Sequence, residues 1–218
     1  MRFECRPCFG EPMKSAYTDF SFDLIESFFH WNVLVIGRSG SGKTEFLKAI
    51  LAEMEYRGMP AKYLEGCAAD QEQDRRLILQ ETQPNWMHFL LDDLGSGGNI
   101  LRHYHDLHSV NPTIRIIGSL QSFEQLSDLD EHDVARLKGL FGCTILLDAA
   151  NLLNLESKRH PIFNFIRSPR NVLALQGTHS YQNFEGLSLF EHGGELAGEP
   201  LRITFLAGSS EEIKNGIH

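Results

Sequence analysis

"NVLVIGRSGSGKTEFLKAI", residues 32–50, decides how the rest of the chain is read. Val33–Ile36 is a continuous apolar run, β-branched at three of its four positions. Such a run suits a strand buried on both faces of a parallel sheet. Further on, Phe46, Leu47, Ile50, Leu51 and Met54 recur at helical spacing, and Arg57-Gly58 supplies a stop. Between them, Gly37-Arg38-Ser39-Gly40-Ser41-Gly42-Lys43-Thr44 matches G-x-x-x-x-G-K-[ST], with Glu45 opening the helix beyond it. Glycines let the backbone wrap close to a phosphate, so that N–H groups at the start of the following helix point inward. Lys43 is then expected to bridge the β- and γ-phosphates of ATP, and the Thr44 hydroxyl to ligate Mg²⁺. The plain alternative is an ordinary glycine-rich turn; a strand before it and an amphipathic helix after it argue against that.

A phosphate loop of this kind requires an acidic partner, expected at the tip of a strand beside the first. "HFLLDD" (88–93) provides one. Asp92 is expected to hold the magnesium, directly or through water, and Asp93 to orient or deprotonate the attacking water. The competing reading is that these acids only cap the next helix. Asp93 is also shorter than Glu, the commoner base in this role. Gln121 closes "RIIGSLQ", placed to sense the γ-phosphate or position water from a strand tip between the two sites. Ser119 and Ser122 flank it and compete for that work, and a solvent-exposed loop glutamine is the bland reading. Arg136, on "EHDVARLKGLF", reads either as an arginine finger for a neighbouring subunit's nucleotide or as a surface ion-pair partner.

Strand and helix patterns alternate along the chain. Strands are expected at Arg2–Arg6, 61–65, 87–93, 113–121, 143–148, 171–175 and 201–206. Helices are expected at 70–80, 100–108, 131–142, 151–156 and 161–166, with a hairpin or loop over the glycine-rich 185–200. The alternation argues an α/β P-loop NTPase fold (RecA/ASCE-like), a three-layer sandwich around a mostly parallel sheet. One domain over 1–218 is expected, with a core over about 32–148 and a C-terminal extension over about 150–218.

Composition narrows the partners. The net charge is −9, so the overall field does not draw the chain to nucleic acid, and any DNA contact must be a local basic patch. Lys158, Arg159, Arg167 and Arg170 cluster as a candidate patch, read against a solvated surface or arginines facing the adjacent subunit's ATP. No apolar run approaches the roughly 18 residues of a membrane span, and "MRFECRPCFGEP" carries no hydrophobic segment after its first basic residue, unlike a secretory signal. Cys5 and Cys8 form a lone C-x-x-C; with Cys67 and Cys143 they read as reduced cytosolic thiols, not a zinc site. His103, His105 and His108 read as solvated histidines, since 103 does not share the helical face of the other two.

"GRSGSGKT", "HFLLDD", "IIGSLQS" and "ARLKGLFGCTILL", in that order over about residues 32–148, resemble the FtsK–HerA group of DNA-pumping ATPases. Within it the likeness is to the small genome-packaging ATPases of poxvirus-like, tailless-phage and archaeal icosahedral viruses. The resemblance implies a homo-oligomeric ring, usually a hexamer, that threads double-stranded DNA, with a sensor Gln and an arginine supplied in trans. It also implies capsid or membrane-associated vertex proteins as partners, and a place in the host cytoplasm and on the virion. "LLDDLG" and "VARL" are similar to the helicase-loader branch of AAA+. That branch carries Asn, Ser or Thr at the place of Gln121 and ends in a helical lid, whereas 171–206 read as strand-bearing. "LGSGGN" (94–99) is similar to the ABC ATPase signature but follows the acids instead of preceding them, and a small-molecule kinase would normally show an Arg-rich lid over its acceptor, with the acid pair followed by Gln121 a poor fit to it.

Overall fold

The structure, a computed structural model, describes residues 18–19, 30–65, 88–126, 129–147, 172–177, 183–192 and 195–204. Its strands are β1 (Thr18–Asp19), β2 (Asn32–Ile36), β3 (Ala61–Leu64), β4 (His88–Leu91), β5 (Arg115–Leu120), β6 (Phe141–Leu147), β7 (Val172–Gly177), β8 (Asn183–His192) and β9 (Glu195–Thr204). The helices are α1 (Lys43–Tyr56), α2 (Gly97–Val110) and α3 (Glu131–Leu140), with a 3₁₀ turn over Phe123–Leu126.

All nine strands join one sheet in the order β1-β9-β8-β7-β6-β2-β5-β4-β3. From β3 to β7 every pairing is parallel; β8 turns back antiparallel on β7 and β9 on β8, while β1 runs parallel to β9. The 185–200 stretch is therefore a hairpin, and residues 201–204 of the strand expected at 201–206 are the end of its long second arm.

Alternation along β2 explains the layers. Val33 and Val35 join a buried cluster with Phe46, Leu47, Ile50 and Met54 of α1. Leu34 and Ile36 point the other way, into a cluster with Ile100 and Leu107 of α2 and Leu137 of α3. With no exposed face, β2 has no use for a polar residue between its ends, which is why the run is unbroken. Among the described residues, one helix on one face and two on the other make a three-layer α/β sandwich with a mostly parallel sheet, the P-loop NTPase kind of fold. The hairpin is tied in as well: the rings of Phe46 and Phe184 meet edge to face at 4.7 Å.

Parts of the sequence reading differ from the structure. The strand expected at 87–93 ends at Leu91, leaving both acids beyond it. Helix α3 stops at Leu140, because Asn32 donates from Nδ2 to the Leu140 carbonyl at 3.0 Å and Phe141 pairs with Asn32 in the sheet. Gly142 lies in that strand, with Trp31 so close that an added Cβ would sit 2.9 Å from its Cγ. Lastly, β4 is not beside β2: β5 lies between them. The expected strand at Arg2–Arg6, the helices at 70–80, 151–156 and 161–166, the basic cluster 158–170 and Cys5, Cys8 and Cys67 lie outside the described residues. Among the described residues, no helix is long and apolar enough to cross a membrane.

Candidate functional site

Parallel strands put their C-terminal tips on one edge, and there β2, β3, β4 and β5 assemble a cleft of about 510 Å³. Ser39, Gly40, Gly42, Lys43, Thr44 and Glu45 line it from the loop side, and Glu65, Asp92, Asp93 and Gln121 from the other tips. Gly37 is anchored by its N–H donating to the Leu120 carbonyl at 3.0 Å, which starts the loop where β2 ends. A Cβ on Gly37 would run into Ser41 Oγ and lie 2.9 Å from the Leu147 carbonyl, so only glycine fits there.

Gly40 and Gly42 turn the loop in the left-handed region, at φ 80° and 87°. Gly42 is also the N-cap of α1 and supplies no side-chain cap, so α1 presents its first N–H groups to the cleft. Lys43 is nearly buried, and its ammonium donates to the Gly37 carbonyl at 2.5 Å and the Arg38 carbonyl at 3.1 Å. Burial, the larger effect, lowers its pKa, while the charges of Asp92 and Asp93 act the other way. Arg38, Ser39 and Gly40 stand exposed at the loop's apex.

Asp92 is the hub. Its Oδ2 accepts from Thr44 Oγ1 at 2.6 Å and from the Tyr63 hydroxyl at 2.8 Å. Its Oδ1 accepts from Ser119 Oγ at 2.6 Å and from the Asp93 N–H at 3.0 Å. Burial opposes ionisation of this carboxyl, but the bonds from Ser119, Thr44, Tyr63 and the Asp93 N–H together outweigh it and hold the pKa below its ordinary 3.8. A carboxylate kept charged at physiological pH, beside a threonine hydroxyl, is the hard-oxygen donor set that Mg²⁺ takes.

Asp93 adopts φ 52°, the one positive value at a non-glycine residue among those described. That turn aims its N–H at both Asp92 Oδ1 and Ser119 Oγ, the latter at 2.8 Å. Its own Oδ1 accepts from Gln121 Nε2 at 3.3 Å. The acids therefore do not cap α2; Ser96 does, accepting from the Asn99 N–H at 3.2 Å.

Do these residues fit a magnesium-bound nucleoside triphosphate? The uncapped start of α1, the open space where Cβ atoms at Gly40 and Gly42 would stand, and the oxygen pair of Thr44 and Asp92 all suit one. Ser41 Oγ, buried and with no hydrogen-bond partner among the described residues, leaves a hydroxyl to spare in the same loop. The group fits.

Arg136 stands apart from this cluster. It is partly exposed on α3, where Nη1 pairs with Asp133 Oδ1 at 2.9 Å and Nη2 meets His105 Nε2. Ser119, one competitor for the role of Gln121, is fully buried and engaged with Asp92. The histidines correct the expectation of a solvated trio: His105 is exposed, but His103 is buried and His108 is half-buried against the Tyr104 ring, with Nε2 at 3.1 Å from the Ile114 carbonyl. Helix α2 buries Ile100, Leu101, His103 and Leu107, more of its circumference than the polar spelling suggests. Cys143 is a free, buried thiol whose pKa burial raises. Tyr63, Glu65 and Gln125 escaped the sequence reading; the rule that strand tips converge could have nominated Glu65, at the end of "AKYLE".

No protein-family model matches the sequence, and no curated protein does. Among solved structures, the chain is similar to AMPPCP-bound DnaA from Aquifex aeolicus, with a TM-score of 0.40 and 19% identity over 57% of this chain and 44% of that one. The likeness thus spans less than half of that protein's length, and at this level it assigns no family.

Proposed function

We propose that the chain is a magnesium-dependent ATPase that works as a homo-oligomeric ring, most simply a hexamer, to move double-stranded DNA, of the kind that packages viral genomes. The observation that carries the ATPase reading is the chain of contacts from loop to acids to sensor, Thr44–Asp92–Ser119–Asp93–Gln121. The loop residues 37–45 would cradle the phosphates, and Lys43 would exchange its two carbonyl partners for phosphate oxygens. Thr44 and Asp92 would hold Mg²⁺, which when bound neutralises charge on the phosphates. Asp93 would take the proton of the attacking water, and Gln121 would orient both.

The DNA reading rests on the order of the four motifs over residues 32–148 and on the elements beyond β6. Residues 172–177, 183–192 and 195–204 are strands extending the sheet, where the helicase-loader reading calls for a helical lid. Arg136 would serve a neighbour's nucleotide, capsid or vertex proteins would dock the ring, and the work would take place in a host cytoplasm and at the virion.

The test has two stages. Phosphate release from ATP should require Mg²⁺ and vanish in Lys43→Ala; turnover untouched by that change sinks the ATPase reading. Stimulation by double-stranded DNA, with displacement of a third strand from a triplex, then tests movement. Turnover indifferent to DNA, with capture of a replicative helicase, would favour a loader.

A further inference from the structure

We propose that Gln125 is a positioning residue that locks the γ-phosphate sensor to the general base; this rests on the ATPase reading. Gln125 sits in the 3₁₀ turn just after β5, outside the motifs, and its one amide grips two strand tips. Oε1 accepts from the Gln121 N–H at 2.5 Å and from the Ser122 N–H at 3.3 Å. Nε2 donates to the Gly95 carbonyl at 2.7 Å. Gly95 stands two residues beyond Asp93, so the same side chain holds the segment carrying the sensor and the segment carrying the base.

The Asp93–Gly95 segment needs such a hold because its backbone is unusual. Asp93 and Gly95 both have positive φ, 52° and 72°, on either side of Leu94. The Leu94 N–H donates to the Ser119 carbonyl at 3.0 Å, and Leu94 lies so close over Gly118 that a Cβ there would meet its Cδ1 at 2.6 Å. These contacts fix the near side of the turn to β5; Gln125 fixes the far side. By contrast, the functional contact itself, Gln121 Nε2 to Asp93 Oδ1, is long at 3.3 Å and exposed. A weak exposed contact keeps its geometry only if the backbones beneath it are held, and Gln125 holds both.

The amide is also the right group chemically. Two N–H donors on one side and one carbonyl on the other require an acceptor and a donor at the end of one side chain. Glu keeps the acceptor and sets a carboxylate against the Gly95 carbonyl. Ala removes both ends. Because the role acts through Gln121 and Asp93, loss of Gln125 should cost turnover without costing nucleotide affinity.

The experiment compares wild type, Gln125→Ala, Gln125→Glu, Gln121→Ala and the double variant Gln121→Ala/Gln125→Ala. Expected for Gln125→Ala is a fall in kcat of about 10- to 100-fold with KM and ATP-analogue affinity within about twofold, the size of loss that small misplacements cause. In the Gln121→Ala background, the same change should cost clearly less than in the wild type, because only the hold on the Asp93–Gly95 segment is left to lose. In the nucleotide-free protein, amide exchange at Gln121 and Ser122 should quicken in Gln125→Ala. If Gln125→Ala does not fold, Gln125→Glu carries the test through the same readouts. Unchanged kcat, or a further full loss in the Gln121→Ala background, overturns the proposal while leaving the ATPase reading intact. A wild-type protein without ATPase activity overturns both.

Discussion

Thr44 and Asp92, 48 residues apart in the chain, share a hydrogen bond of 2.6 Å across the mouth of the cleft. One belongs to the first turn of α1, the other lies just past the end of β4, and neither has meaning alone. Their contact sets the loop and the acids around one point, where a metal ion and a phosphate can meet.

Thr44→Ala and Asp92→Asn should each lower ATP turnover by on the order of 100-fold or more, the scale for removing a preorganised charge-stabilising group. Asp92→Asn should also weaken Mg²⁺ dependence more than ATP-analogue binding in metal-free buffer. Steady-state assays over a magnesium titration read both; near-normal turnover in Asp92→Asn would remove that residue from the mechanism.

Acid should erode the stability of the wild type more steeply than that of Asp92→Asn, because of Asp92. Its folded pKa lies below the ordinary 3.8, so its stabilising contribution is fully present above that value and fades as pH falls through the lower folded value. Asp92→Asn has no such contribution to lose. Urea midpoints from about pH 5 to about pH 3 should therefore fall less steeply in the variant than in the wild type; parallel slopes would mean the carboxyl is not held charged.

Phe184→Ala should cost about 3–5 kcal/mol of stability, as for other buried phenylalanines. Phe184 is 1% exposed and meets the Phe46 ring at 4.7 Å. A double-mutant cycle with Phe46→Ala should return a coupling of about 0.5–1.5 kcal/mol. Zero coupling would detach the C-terminal hairpin from α1.

Gly186→Ala should destabilise far more than Gly198→Ala in the same hairpin. A Cβ at Gly186 would run straight into the Ala174 carbonyl oxygen, which belongs to the paired backbone. At Gly198 the nearest atom is Leu187 Cδ1 at 3.2 Å, the end of a side chain that can move. Thermal melts should separate the two, with Gly186→Ala losing about 1–3 kcal/mol or more.

Arg136→Ala should abolish turnover alone and recover part of it when mixed with Lys43→Ala, because one of the two orders of mixed interface pairs an intact loop with an intact arginine. If the mixture stays dead, Arg136 is a surface partner of Asp133, to which it pairs at 2.9 Å within the subunit.

The loop was legible because its chemistry is local. Glycine at positive φ, a lysine and a hydroxyl at fixed spacing, and a buried strand before them are all spelled within residues 32–50. The acids were legible for the same reason, as charges abruptly ending an apolar run. The edges of elements were less so: α3 stops early because Asn32, more than a hundred residues before it, binds its last carbonyl.

From sequence alone came the alternation that makes the sheet parallel, the phosphate-loop spelling and the candidate acids, since each depends on neighbours within one or two turns of chain. Tertiary structure alone decided that β4 stands one strand away from β2 and not beside it, that Ser119 serves Asp92, that Tyr63 bonds Asp92, and that Gln125 bonds the Gln121 backbone. Strand order is a matter of which apolar faces pack best across the whole sheet, and hydrogen-bond partners across strand tips are set by that order. No local pattern encodes them.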